Sequence, residues 1–329
     1  MRQQLNKHAF TLWLIFAVGL ALLFPGPGSD GGFLFADFTT KIGVWIIFFL
    51  QGLGLPTSEL ATGYRPKRLH VFVLSWNYLW FPLVTGLMLI PVSFVLPESM
   101  RLGFWLLAIM PTTVSSAVVF STVSGGDASN AIFSTVFSNL LSVVLVPLVA
   151  VAYLAAETEA AVRLAPLFAT LFTLIVVPLL AGQVIRTLSA ERANAFVRRF
   201  KGLSTWIILF IVHCAFAESV SSGFLDQLGG GAVVAVIGST VFLLLAVSRL
   251  VWGTAAWLKP TRPQRISAFF CASQKSLATG LPLATSILAA APGIVDPAAV
   301  LIPLMCYHPS QLVLAGFLSG RWSQVAEDG

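Results

Sequence analysis

Long apolar runs alternate with short polar connectors along the whole chain. Ten runs come near the ~20 residues that carry a helix across a ~30 Å hydrocarbon core. They span Ala9 to Phe24, Phe38 to Leu55, Leu69 to Phe94, Leu102 to Val123, Ser129 to Leu154, Leu164 to Ile185, Gly202 to Ser221, Gly231 to Leu258, Ile266 to Ala290 and Ala298 to Gly320. The pattern predicts an all-α polytopic membrane protein with ten transmembrane helices. Two runs carry polar interruptions. The stretch from Pro111 to Asn130 opens with Pro111-Thr112-Thr113-Val114-Ser115-Ser116 and breaks the fourth run. The stretch from Phe270 to Pro282 breaks the ninth, where Gly280 and Pro282 are residues able to interrupt a helix.

Charge orients this pattern. Charged residues make up 10% of the 329 and hydrophobic ones 57%, against ~25% charged in soluble domains. The basic residues gather in alternate connectors, which argues against a nucleic-acid partner. One set holds Arg2 and Lys7; Arg65, Lys67 and Arg68; Arg186, Arg192, Arg198, Arg199 and Lys201; Lys259, Arg262 and Arg265; and Arg321. The other holds only Lys41, Arg101 and Arg163, beside most of the acids. Basic excess marks the cytoplasmic side, so both termini are expected there, at a bacterial inner membrane, and the span number is even. Ten spans divide into five and five, and an odd number per half inverts the second half. Residues 1–190 then hold the first inverted repeat with the join and the start of helix six. Residues 164–329 hold the second repeat, and 1–329 form a single integral membrane domain. The fourth and ninth runs become partners: two broken, crossing helices at matching positions. The first run resembles a signal sequence, but it reaches Phe24-Pro25-Gly26 without a small-residue cleavage site, so a retained helix is expected. Cys214, Cys271 and Cys306 lie in apolar runs without metal or disulfide spacing and read as core residues.

The candidate chemistry sits at the two breaks. Proline frees a backbone carbonyl, and broken backbone is tolerated at membrane depth only where protein buries it or a cavity needs it. The hydroxyls of Thr112, Thr113, Ser115 and Ser116 suit a small cation or a substrate, or else simply satisfy backbone groups. Lys275 lies about ten residues, or ~15 Å, from Arg265, too deep for easy snorkelling. No carboxylate stands at comparable depth. Its ammonium can receive the anionic head of a substrate or stand as a tethered cation. Arg249, inside the eighth run, either faces a cavity or snorkels. His308 and His213 are helix-helix hydrogen bonders or proton relays. Asn77, ahead of Pro82, is a buried amide able to line a site, and Asp127 reads as a helix cap. Motifs for a Ser hydrolase, a zinc protease or a P-loop are missing from the sequence, so no enzyme is expected.

These residues resemble the bile acid:sodium symporter superfamily (solute carrier family 10), most nearly the bacterial relatives of its seventh member. The resemblance rests on Gln51-Gly52-Leu53-Gly54-Leu55 ahead of Ser58-Glu59-Leu60, and on Asn77 five residues before Pro82. It continues through Pro111 to Ser116 with Gly126-Asp127, Pro178-Leu179-Leu180-Ala181-Gly182, Gln274-Lys275-Ser276 and His308-Pro309-Ser310-Gln311. It implies two inverted five-helix repeats, a panel of segments one, two, six and seven, and a core of the remaining six. Substrate is implied in the crevice between them. It further implies sodium ligands at Ser115, Ser116, Thr135, Asn77 and Gln274. The family's glutamate falls at or near Phe270, where no acid stands, and Lys275 occupies a position that usually holds asparagine. The site has lost an anion and gained a cation, which opposes binding of two sodium ions.

The expected function is secondary transport of a small organic anion, bile-acid-like or another amphipathic carboxylate or sulfate, by alternating access in symport with sodium or protons. The expected site comprises Lys275, Gln274, Ser276, Ser115, Ser116, Thr112, Thr113, Asn77, Thr135 and His308, with no cofactor other than a candidate sodium ion. The bilayer is the other partner, and oligomeric state is not legible. Two alternatives stay open at this point: a non-transporting membrane regulator that keeps the carrier fold, and an uncoupled channel or exporter.

Overall fold

The computed structural model describes residues 2–54, 64–157, 169–200, 202–223, 226, 229–290 and 296–327. All regular structure among them is helical. In chain order the helices are α1 (Arg2–Leu23), α2 (Ala36–Gly54), α3 (Lys67–Val92), α4 (Glu98–Ile109), α5 (Val114–Val123), α6 (Ala128–Glu157) and α7 (Ala169–Leu188). There follow α8 (Ala190–Arg199), α9 (Leu203–Ser221), α10 (Gly230–Leu258), α11 (Arg262–Ser273), α12 (Leu277–Ala290) and α13 (Pro297–Glu327). Six of them, α3, α6, α7, α9, α10 and α13, are long and apolar enough to cross a membrane. The α4–α5 pair, bent by 55° at its break, counts as a seventh span. The expected first run is a shorter apolar helix over Leu12–Leu23. Helices α2 and α11–α12 cover the expected second and ninth runs. The start of the expected sixth run, Lys201 and the Ser58-Glu59-Leu60 motif lie outside the described residues.

Contacts divide the chain into two units. The first comprises Met1–Leu55, Pro147–Gly230 and Leu281–Leu301; the second comprises Pro56–Val146, Gly231–Gly280 and Ile302–Gly329. Each draws on both halves of the chain. The first unit holds α1, α2, α7, α8 and α9, which include the segments that the resemblance assigns to the panel. The second holds α3, α4, α5 and α11, with nearly all of α10.

In the first unit, α2 and α7 approach closely enough for backbones to touch. A Cβ added at Gly52 would collide with the Leu179 carbonyl, and one at Gly182 with the Phe49 carbonyl. The glycines flagged in the sequence thus have a packing reason, since small residues allow such approach in membranes. Helix α1 packs on α9, where Trp13 meets Trp206 edge-on at 5.3 Å and His213 Nδ1 stands 3.3 Å from the Ala17 carbonyl. The short α8 seats Ala193 against Leu50 and Leu53. In the second unit, Asp127 is the expected cap, accepting from the Asn130 backbone N–H at 3.0 Å and from its Nδ2 at 2.6 Å. Its own N–H donates to the Pro263 carbonyl at 3.2 Å, which ties the start of α6 to α11.

Candidate functional site: two helix breaks and one lysine

Both breaks belong to the second unit. The first separates α4 from α5 over residues 110–113. The second separates α11 from α12 over residues 274–276. The ninth run therefore does not break at Gly280 or Pro282. Both residues lie inside α12, and the break falls at Gln274-Lys275-Ser276 for reasons that lie in neighbouring helices.

A proline in α3 and another in the first break prepare those reasons. Helix α3 contains a π-turn over Trp76–Trp80, where the Phe81 N–H bonds the Trp76 carbonyl. The Asn77 carbonyl so loses its α-helical donor. Its next donor, five residues on, would be Pro82, which has no N–H. At the end of α4 the Ala108 carbonyl is orphaned in the same way. Pro111 has no N–H to offer, and the Thr112 N–H points to Ser138 Oγ at 3.4 Å. The Met110 carbonyl lies in the break itself. Three main-chain acceptors are thereby left without helical partners.

The Lys275 ammonium supplies all three. Nζ donates to the carbonyls of Ala108 at 2.6 Å, Met110 at 2.9 Å and Asn77 at 3.0 Å. It also stands 4.1 Å from the centre of the Phe81 ring, within cation–π range. The side chain is fully buried. An ammonium has three donors, so none remains for a substrate carboxylate. The ammonium faces the C-terminus of α4, the negative end of that helix. Charge-assisted hydrogen bonds contribute roughly 1.5–3 kcal/mol each, and burying an ammonium costs several kcal/mol. The two sides nearly balance, so the lysine fixes the geometry of the breaks more than it adds stability.

The second break is held from α13. Gln311 Oε1 accepts the Lys275 N–H at 2.7 Å, and Gln311 Nε2 donates to the Lys275 carbonyl at 2.7 Å. One side-chain amide thus replaces the backbone partners that a continuous helix would provide. His308 Nδ1 lies 2.9 Å from Gln311 Nε2 and 3.4 Å from the Lys275 carbonyl. The Ser276 N–H donates to the Pro111 carbonyl at 2.8 Å and joins the two breaks directly. Ser276 Oγ accepts the Thr279 N–H at 3.1 Å at the start of α12.

The remaining candidates form a polar layer around this core. Thr113 caps α5, accepting the Ser116 N–H at 3.3 Å, and its hydroxyl lies 2.6 Å from that of Ser116. Ser116 Oγ donates to Gln274 Oε1 at 2.9 Å. Thr135 spends its hydroxyl on the Ile132 carbonyl at 3.0 Å. Ser115 is exposed and stands apart from this network. Of the five candidate sodium ligands, Ser116 donates to Gln274 and Thr135 to its own helix, which leaves each hydroxyl oxygen its lone pairs, while Ser115 is exposed. Asn77 Oδ1, Thr112 Oγ1 and Gln274 Nε2 are buried without hydrogen-bond partners among the described residues. Gln274 and Ser248, whose hydroxyl is also unpartnered, line a cavity of about 10 Å³, room for roughly one water.

A family model described as the SBF-like CPA transporter family matches residues 8–324. The chain belongs to that family. It is therefore an integral membrane transporter and not an enzyme, and the resemblance read from its motifs holds. Two relatives named sodium/bile acid cotransporter 7 align along nearly their whole length. That of Danio rerio is 30% identical over 96% of this chain and 93% of its own. That of Xenopus tropicalis is 30% identical over 96% and 92%. An uncharacterized protein of Pseudomonas aeruginosa is 32% identical over 97% of this chain and 94% of its own.

Several site residues escape a reading by residue type. Gln311 was visible only as part of His308-Pro309-Ser310-Gln311, although it holds the lysine's backbone. Asn139 bridges the Thr112 and Thr135 carbonyls, each at 2.8 Å, and accepts from Thr279 Oγ1 at 2.9 Å. Ser138 accepts from Asn77 Nδ2 at 3.2 Å, and its carbonyl takes the Tyr78 hydroxyl at 2.5 Å. An amide buried in an otherwise apolar run was the available signal for Asn139.

Proposed function

We propose that the protein is a secondary carrier of a small organic anion at the inner membrane, working by alternating access. In this reading ten helices form two inverted five-helix repeats, residues 1–190 with the join and residues 164–329, and both termini are cytoplasmic. The names of the relatives, sodium/bile acid cotransporter 7, support an amphipathic carboxylate or sulfate as substrate. Lys275 serves as a resident cation in place of one coupling ion, and transport couples to at most one further cation, sodium or a proton. The observation that carries this is the Lys275 ammonium bound to three main-chain carbonyls at two helix breaks. Backbone oxygens around a buried positive charge are the ligand set that a small hard cation takes.

Uptake of a labelled bile acid into proteoliposomes tests the reading, with sodium and proton gradients imposed separately. Concentrative uptake driven by one gradient is expected. A protein without substrate-dependent flux under either gradient would be a membrane regulator. Downhill flux that neither gradient can drive would make it a channel.

A further inference from the structure

Helix α8 joins two helices that are long and apolar enough to cross the membrane. Ser189 alone separates it from α7, and residues 200–202 separate it from α9. It therefore lies along one face of the membrane. Its inner side is covered: Ala193 and Val197 pack against Leu50 and Leu53 at the end of α2. One flank is held from α7 by Arg186, whose Nη1 donates to Asn194 Oδ1 at 2.9 Å and to the Leu53 carbonyl at 2.7 Å.

The opposite flank carries exposed residues in a definite order. Next to the buried side come Phe196, 44% exposed, and Phe200, 36% exposed, with ring centres 4.6 Å apart. The Phe200 N–H bonds the Phe196 carbonyl at 3.1 Å, so Phe200 continues the helical register. Arg192 and Arg199, both exposed, form the next stripe, farther from α2. Apolar rings towards the bundle with guanidinium groups outside them follow the order of acyl chains and phosphates at a membrane surface.

Helix electrostatics accounts for one of these arginines and not the other. Arg199 lies in the last turn, where a cation complements the helix dipole. Arg192 lies in the first turn, at the positive end, where a cation is disfavoured. Glu191 is its neighbour in sequence, and adjacent helical residues do not face each other. Among the described residues no ion pair joins either arginine to a carboxylate. An external anion supplies what the helix lacks.

We propose that this flank of α8 docks on anionic phospholipids of the leaflet it lies along. Phe196 and Phe200 enter the acyl boundary, and the guanidinium groups of Arg192 and Arg199 take the phosphates, whose geometry their forks match. The site belongs to the first unit, is separate from the helix breaks and rests on the membrane placement alone.

Hydrogen–deuterium exchange of the full chain, one copy per nanodisc of phosphatidylglycerol or phosphatidylcholine, tests it. A basic residue near an anionic surface adds about a fivefold preference. The wild-type amides of α8 should therefore exchange roughly ten- to thirtyfold more slowly in phosphatidylglycerol, and molar salt should shrink the difference. The Arg192→Gln, Arg199→Gln double variant should exchange alike in the two lipids, and the double Lys variant should keep part of the difference. Phe196→Ser should speed exchange of α8 in both lipids, while α9 exchanges as in the wild type. Equal exchange by the wild type in the two lipids would overturn the proposal. So would a difference that survives in the double Gln variant, or one that inorganic phosphate reproduces in phosphatidylcholine. Protection that appears only in nanodiscs holding two copies would assign the flank to a second copy instead.

Discussion

The two helix breaks occupy corresponding places in the two halves of the chain, yet they are chemically opposite. The break between α4 and α5 is rich in acceptors. Proline strips it of donors and leaves the carbonyls of Ala108, Met110 and Pro111 facing inward. The break between α11 and α12 contains no proline and supplies donors: the Lys275 ammonium and the Ser276 N–H. Each resolves the other's unsatisfied groups, and Gln311 completes the second break from α13. The lesson is that a matched pair of broken helices need not bind the same species twice. Here one break carries the partner that the other lacks.

The strongest way to break this complementarity is Lys275→Met, which leaves three buried carbonyls without donors. Each unsatisfied group costs about 1–3 kcal/mol, so a loss of more than ~3 kcal/mol is expected, read as a fall in melting temperature together with loss of uptake. Gln311→Leu is next. It unpairs both main-chain groups of Lys275 and should destabilise by about 2–4 kcal/mol. Gln311→Glu keeps the acceptor for the Lys275 N–H and should recover roughly half in the same melt. Ser116→Ala removes one hydrogen bond to Gln274, about 1 kcal/mol. Ser115→Ala should leave stability within ~0.5 kcal/mol of wild type, and equal effects of the two would contradict the placement of Ser115 outside the network.

The smallest effect lies away from both breaks. Asp296 precedes α13, where it accepts both oxygens' worth of hydrogen bonding from the Ser219 hydroxyl at 2.8 Å and the Ala299 N–H at 2.9 Å. Burial raises its carboxyl above the ordinary 3.8, and the charge of Glu218 pushes the same way. An acid raised in the folded state lends stability that is fully present below its unfolded value and is lost as pH rises through the folded one. Stability should therefore decline as pH rises from about 4. Asp296→Asn should flatten that slope in a melting series, and a slope unchanged in the variant would contradict the assignment.

Much of this arrangement is legible in residue types. The apolar runs, the two interrupted stretches, the depth of Lys275 and the cap at Asp127 all follow from hydrophobic periodicity and from polar residues where lipid would not tolerate them. The partner of Lys275 is not legible that way. A search for a carboxylate finds none, because the partners are backbone carbonyls, which every residue has and only a helix break exposes. The spacing of Asn77 from Pro82 held a trace of this, since five residues is the π-turn interval and proline cannot close it. The exact place of the second break was equally hidden. Gly280 and Pro282 suggested one end, but the Lys275 contacts and Gln311 set another. The inverted repeat and the number of crossings rest on charge alternation and on the family, as part of the proposed function.

The central claim is that Lys275 is a resident cation. The most direct measurement compares the melting temperatures of wild type and Lys275→Gln in sodium, potassium and choline chloride at matched ionic strength. A cation that binds only the folded state stabilises by mass action, by about 2.7 kcal/mol at a hundred times its Kd. The account predicts that Lys275→Gln melts lower and acquires a stabilisation by small cations that exceeds any shown by the wild type. A variant that melts like the wild type, or one whose response to the three salts matches it, would contradict the claim.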